Sequence, residues 1–438
     1  MSTTFTSALL LVAAIAQPAL AQPVTTIVNG GPSTNRIDLV VIGDGYTTAD
    51  LPKYAADVQE FVISMFQQQP YSEYQAYFNV HRLDVISAES GADHPETETY
   101  KNTALDATYN CAGIQRLICA DYYKVLDVVT AVMLPSERDA ILVLVNDDTY
   151  GGSGGFFAVS STHPDGVEIV LHELGHSVGL LADEYAGGGA SCDSSVEPAE
   201  PNATTSTARG TIKWNAWIDP STEIPTDSYG VGVPGLYLGA KYCDSGLYRP
   251  TYDSKMRSLG VPFESINTEQ LIKRYYNWAS PIESSSPASG ITTVTQGQAQ
   301  HFSIITLEPA SHTLERTWRV DGQPAGVGGS IVLDSSLLSI GDHAIVVTAH
   351  DATRDVRSDP DGILTESVSW VLKVTPSVAI SPCDVNRDGA TTAADIQVVI
   401  NEVLGVIPPT SDINRDGVVN IFDVMLYVNA ALGRGCSG

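Results

Sequence analysis

Val167 to Leu181 reads VEIVLHELGHSVGLL. Apolar residues recur through it at helical spacing, so the segment is expected to be a helix packed on a core. Within it lies His172-Glu173-Leu174-Gly175-His176. Residues four apart on a helix share one face, so both imidazoles can hold one metal ion while Glu173 reaches water on that ion. Zinc lowers the pKa of such water, and a carboxylate beside it acts as general base and then passes the proton to the leaving amine. The bare spacing also recurs by chance, with the histidines as ordinary polar residues of a helix. The flanks favour the metal reading here: Gly179 follows as a helix-ending residue, and Asp183 and Glu184 lie just beyond it.

A catalytic zinc takes three protein ligands and keeps one position open, so a third ligand is needed near His172 and His176. In the metzincin pattern HExxHxxGxxH a glycine permits the turn that returns the third ligand, and Gly179 stands at that place. The position where the ligand would strictly fall is Ala182, so Asp183, one residue on, is the expected ligand. Glu184 is the local alternative and Glu269, on a later helix, the distant one.

Upstream, Ile37 to Ile42 (IDLVVI) reads as a buried strand, Ala49 to Phe66 as an amphipathic helix, and Phe78 to Val85 and Ala140 to Val145 (AILVLV) as further strands. Asp121 to Met133 is helical in pattern. A glycine-rich turn, Gly151 to Gly155, leads into a strand at Phe156 to Ser160 and then into the helix bearing His172. The fold class expected is an α/β domain ahead of the histidine helix.

Several segments carry a family resemblance: RIDLVVIGDGY from Arg36, YFNVHRLDVISAESG from Tyr77, VLVNDDTYGGSGG from Val143, HELGHSVGLLADEY from His172 and KMRSLGVPF from Lys255. Over residues 35–282 the sequence resembles the IgA-peptidase-like family of bacterial zinc metallopeptidases, which is similar to metzincins. The resemblance implies a zinc endopeptidase with Glu173 as catalytic base and Met256 as a methionine turn beneath the metal. It also implies a substrate groove along an edge strand at Gly155 to Val159. The family's named substrate does not carry over, because loops set specificity. Ala186 to Ala190 and Ser191 to Gly210 read as such loops or as plain linkers.

Beyond the Ser- and Pro-rich stretch from Ser284 to Ser289 the texture changes to short strands, including His301 to Ile305, Thr317 to Val320, Ser330 to Leu333, His343 to Ala349 and Ser367 to Val374. An all-β immunoglobulin-like sandwich over residues 284–376 is expected, with Trp318 in its core. Residues 377–438 then carry two matching runs. Asp384, Asn386, Asp388, Thr392 and Asp395 form one, and Asp412, Asn414, Asp416, Asn420 and Asp423 the other. Oxygens at alternating positions with a glycine at the sharp turn form a Ca2+ cage, and a helix follows each run, at Ile396 to Val403 and Val424 to Leu432. The last ligand is Asp rather than the Glu of an EF-hand. The pair resembles a type I dockerin, a small α-helical module, which implies a cohesin-like partner where a scaffold exists.

The 438 residues include 51 acidic and 23 basic side chains, a net charge of -28, which repels nucleic acid and anionic membrane. At 43% hydrophobic and 17% charged the sequence is globular in composition. Residues 1–21 read as a signal peptide: an apolar run from Ala8 to Ala16 precedes Ala19-Leu20-Ala21, although no Lys or Arg opens it. That run is too short to span a bilayer. Export fits the six cysteines, expected to pair as Cys111 with Cys119, Cys192 with Cys243 and Cys383 with Cys436; no CxxC spacing points to a zinc-cysteine site. Residues 22–283 are thus assigned to the zinc domain. A non-catalytic surface protein held by its C-terminal modules is the rival reading, and a hydrolase acting on another electrophile shares the same motif.

Overall fold

The computed structural model describes residues 24–377, apart from 188, 194, 228 and 229, and residues 381–436. The leader expected over residues 1–21 lies outside the described residues.

The first sheet is built from β1 (Val24–Asn29), β2 (Ile37–Asp44), β3 (Phe78–Leu83), β4 (Ala140–Val145), β5 (Gly152–Ser153) and β6 (Ala158–Ser161). Helices α1 (Leu51–Met65), α2 (Tyr122–Thr130) and α3 (Gly166–Ser177) belong to the same layer structure. The strand order is β1-β3-β2-β4-β6-β5, with β3, β2, β4 and β6 parallel and the outer strands antiparallel. Every residue of β2 and β4 is buried. The pleat explains why: Leu39, Val41, Leu142 and Leu144 enter one core, while Val40, Ile42, Ile141 and Val143 enter another on the opposite face. The first core also takes α1, α3 and α4 (Glu264–Tyr275), and the second takes α2.

The edge strand is not where the resemblance put it. The strand preceding α3 is Ala158–Ser161, and it is interior, between β4 and β5. The backbone doubles back through Gly154 and Gly155, so β5 forms the margin, and its Gly152 is itself bridged by Leu117. The Gly151 to Gly155 stretch, expected to be a turn, therefore carries a strand. Ahead of α4, β7 (Tyr237–Ala240) and β8 (Cys243–Arg249) make a small hairpin onto which Ala186, Ser191 and Thr204 bridge.

The second half forms two sheets. β10 (Gly290–Thr295), β12 (Glu315–Val320), β13 (Gln323–Val327), β15 (Gly341–His350) and β16 (Thr365–Thr375) make one. β9 (Ile282–Ser286), β11 (Ala299–Thr306) and β14 (Ser330–Asp334) make the other. Trp318, Trp370, Phe302 and Ile345 fill a shared core. Ser284 to Ser286, part of the Ser- and Pro-rich stretch read as a domain boundary, lie within β9 and pair with β11, because ladder bonds hold them whatever their propensity. Residues 381–436 add α5 (Ala393–Val403) and α6 (Ile421–Ala431) around Val399, Val424 and Tyr427. The three disulfides are Cys111–Cys119, Cys192–Cys243 and Cys383–Cys436, and no described helix is long and apolar enough to cross a membrane.

Candidate metal centre

His172 and His176 lie one turn apart on α3, and their Nε2 atoms are 3.2 Å from each other. Asp183 Oδ1 lies 3.1 Å from His172 Nε2 and 3.2 Å from His176 Nε2. A tetrahedral ion with bonds of about 2.0 to 2.1 Å separates its ligand atoms by about 3.3 Å, so this triangle fits one zinc-sized ion. The opposite ring atoms are fixed by carbonyls. His172 Nδ1 donates to Lys255 O at 2.8 Å and His176 Nδ1 to Leu181 O at 2.7 Å, which leaves each Nε2 unprotonated and free to ligate.

The backbone reverses after α3 to deliver Asp183, though not as the sequence implied. The left-handed residue is Leu180, at φ 56°, and not Gly179. Gly179 is required for space: a Cβ there would meet the Gly175 carbonyl oxygen at 2.6 Å. Helix α3 consequently stops at Ser177, short of the expected Leu181. The alternatives to Asp183 are engaged elsewhere. Glu184 is fully buried and accepts from Asn202, Asn267 and Ser254 at 2.7 to 2.9 Å. Glu269 accepts from the Trp217 indole and from the Arg357 amide.

Met256 is completely buried below the helix, its sulfur so close that a Cβ on Gly175 would come within 2.5 Å. Its neighbour Lys255, also buried, pairs with Glu168 on the first turn of α3, and Glu168 further accepts from Gly260 N at 2.9 Å and Gln68 Nε2 at 2.7 Å. That clamp holds the Lys255 carbonyl against His172. Composition gave no sign of this pairing, which spans 87 residues.

Glu173 borders an open cavity of about 310 Å3, also lined by Arg116, Tyr150, Ile169, His172, Tyr185, Arg257 and Leu259. Burial pushes the Glu173 carboxyl above the usual range, against the lowering effect of both histidines. Gly154 gives it room: a Cβ there would lie 1.9 Å from Glu173 Oε2. Tyr185 packs nearly parallel to the His172 ring, 6.5 Å between centroids, and shares a 2.8 Å hydrogen bond with the Tyr242 hydroxyl. Arg116, Tyr185 and Arg257 were missed in sequence. Tyr185 and Arg257 lie inside segments that carry the resemblance, whereas Arg116 is marked only by its place between two cysteines.

At the C-terminus, Asp384, Asp388 and Asp395 bring carboxylate oxygens within 4.8 Å of one another. Asp384 accepts from Asp388 N and Gly389 N, and Asp395 from Asn386 N and Thr392 N. Asp412 and Asp423 repeat those bonds with Asp416, Gly417, Asn414 and Asn420. Thr392 and Asn420 cap the helices that follow. Among the described residues only the first run brings three carboxylates that close.

Residues 25–229 match the model of the family described as IgA Peptidase M64, a span that includes His172, Glu173, His176 and Asp183. No curated protein matches the sequence. Among solved structures, the X-ray structure of the endo-beta-1,4-mannanase from Thermotoga petrophila is similar at 12% identity over 68% of this protein, with a TM-score of 0.16. The match spans 57% of that structure's length, and at this score nothing about fold or activity follows from it. The family match covers just under half of the sequence and supports an IgA-peptidase-like reading of that span.

Proposed function

We propose that the protein is a secreted, zinc-dependent endopeptidase in which His172, His176 and Asp183 hold the metal and Glu173 is the general base. The observation that carries this is the 3.1 to 3.2 Å triangle of Nε2, Nε2 and Oδ1 with both Nδ1 atoms bonded to carbonyls. A zinc ion bound there supplies Lewis acidity to water and to a substrate carbonyl. Glu173, on the cavity wall, takes the proton from the attacking water and delivers it to the departing amine nitrogen. The Lys255 and Leu181 carbonyls hold the imidazoles in one orientation throughout.

The rest of the reading is a leader over residues 1–21, a zinc domain over 22–283, an immunoglobulin-like sandwich over 284–376 and a dockerin-like calcium module over 377–438. Support for the last comes from the duplicated backbone cradles at Asp384–Asp395 and Asp412–Asp423. Leu404, Ile421, Phe422, Met425 and Leu432 of the module are exposed, which is where a cohesin-like protein would dock.

Zinc-loaded wild type and Glu173→Ala are incubated with a complex protein mixture, and new peptide termini are identified by mass spectrometry. New termini from wild type alone are expected. Identical digests from folded, zinc-occupied samples would reject the enzyme and favour a non-catalytic surface protein.

A further inference from the structure

Resting on the peptidase reading of the same cleft, we propose that Arg116 and Arg257 form a carboxylate-recognition site that selects substrates with an acidic group beside the scissile bond. Both side chains line the cavity that Glu173 and His172 border. They are the arginines of that cavity in a protein of net charge -28. Among the described residues no carboxylate pairs with Arg116. The carboxylate nearest Arg257 is Asp253, at 3.8 Å, in a pair with a third of the arginine side chain still exposed. Arg36, Arg82 and Arg316, by contrast, each hold a carboxylate at hydrogen-bond distance.

Neither arginine is loosely placed. Arg257 follows the turn that carries Met256, with its amide donating to Ser254 O at 2.9 Å. Its guanidinium donates to Tyr252 O at 3.1 Å and sits over the Tyr252 ring, 5.5 Å from the centroid. Arg116 belongs to the loop closed by Cys111–Cys119, and that loop is zipped to the edge strand: Gly152 N donates to Arg116 O at 3.1 Å and Ile118 N to Gly152 O at 3.4 Å. Two residues further along the same backbone, Gly154 abuts Glu173.

Arg116 and Tyr150 also line a second cavity of about 460 Å3, with Glu96, Tyr109, Ile114, Gln115 and Thr149. Arg116 and Tyr150 thus stand between the two hollows. A guanidinium offers paired donors that match a carboxylate. A carboxylate of this kind comes from an Asp or Glu side chain within the peptide or from the peptide's own C-terminus; the endopeptidase reading favours the side chain.

The test uses C-terminally amidated random peptide pools that differ only in Glu or Gln at one fixed central position. Two readouts are taken on full-length, zinc-loaded protein: binding to the non-cleaving Glu173→Gln variant by fluorescence anisotropy, and kcat/KM of proteins with an intact Glu173. We expect the Glu pool to bind and be cleaved about tenfold better. The ratio should fall towards one in Arg116→Gln/Arg257→Gln, and a Lys pool should become preferred in Arg116→Glu/Arg257→Glu, an inversion that misfolding does not produce. Equal binding of Glu and Gln pools, or a preference that survives both double variants, overturns the site. Biased binding without any hydrolysis by wild type retains the site and rejects the peptidase reading. Bias seen only with free, non-amidated C-termini assigns the pair to a terminal carboxylate and overturns the side-chain preference.

Discussion

Glu168, half-buried, pairs with the buried Lys255, whose carbonyl orients His172. Replacing Glu168 with alanine strands a buried ammonium, so the variant should lose about 3 kcal/mol of stability. It should also bind zinc about tenfold more weakly through the loosened Lys255 carbonyl. Chemical denaturation and chelator competition read the two effects. Asp139 supplies a second residue-level test. Burial pushes its carboxyl up to about 6, the nearby Asp38 charge adds to the rise, and the hydrogen bond it accepts from Asp38 N, at 2.9 Å, opposes it. A raised carboxyl binds its proton more tightly when folded, so its cost to stability grows from about pH 4 to about pH 6 and is complete above. Asp139→Asn should therefore raise the melting temperature at pH 8 and leave it nearly unchanged at pH 4, as read by calorimetry at the two values. His172 and His176 were legible because helical spacing brings them to one face, and Glu173 because it adjoins them in the same motif. Asp183 was legible as the nearest carboxylate past the turn, but the role of Gly179 was not, since the close approach to the Gly175 carbonyl has no local signature.

Among elements, β4 announces itself as an unbroken apolar run and β2 as one interrupted by Asp38 and closed by Asp44, because both faces of the sheet are covered. β5 does not, because Gly152 and Ser153 have no strand propensity and are held by β6 on one side and by Leu117 on the other. This short edge sets the position of Glu173. Gly154→Ala should fold, since the obstructed atom is the end of a side chain, yet it should displace the carboxylate and lower kcat by at least about tenfold with zinc content intact. Steady-state kinetics beside metal analysis separates that outcome from loss of the site. The hairpin of β7 and β8 and the ladder at β9 were also hidden in the sequence, their residues being glycine- and serine-rich and paired across the fold rather than patterned along it.

Across the whole molecule, Asp351 joins the two sheets of the second half to the first core. It accepts from the Tyr74 and Tyr276 hydroxyls at 2.7 Å, lies 2.7 Å from His312 Nε2, and is itself buried. Leu307 and Leu364 enter the same core as α1 and α3. Asp351→Ala leaves those donors unpaired and should cost about 3 kcal/mol in urea unfolding of the full-length protein. The sequence outlined three regions by texture, while this long-range polar tie between the first two carried no motif. On the proposed calcium reading of the C-terminal segment, a cation would offset the repulsion among the clustered carboxylates of Asp384, Asp388 and Asp395. Calcium should raise a separate calorimetric transition that a chelator abolishes; a thermogram insensitive to calcium would reject the module's metal.

The most direct test of the central claim is the anomalous difference density at the zinc absorption edge from crystals of the zinc-loaded, full-length protein. A single strong peak in the catalytic region, within about 2.2 Å of His172 Nε2, His176 Nε2 and an Asp183 carboxylate oxygen, is the predicted result. A peak liganded by Glu184 or Glu269 in place of Asp183, or no peak at the two histidines, would contradict it.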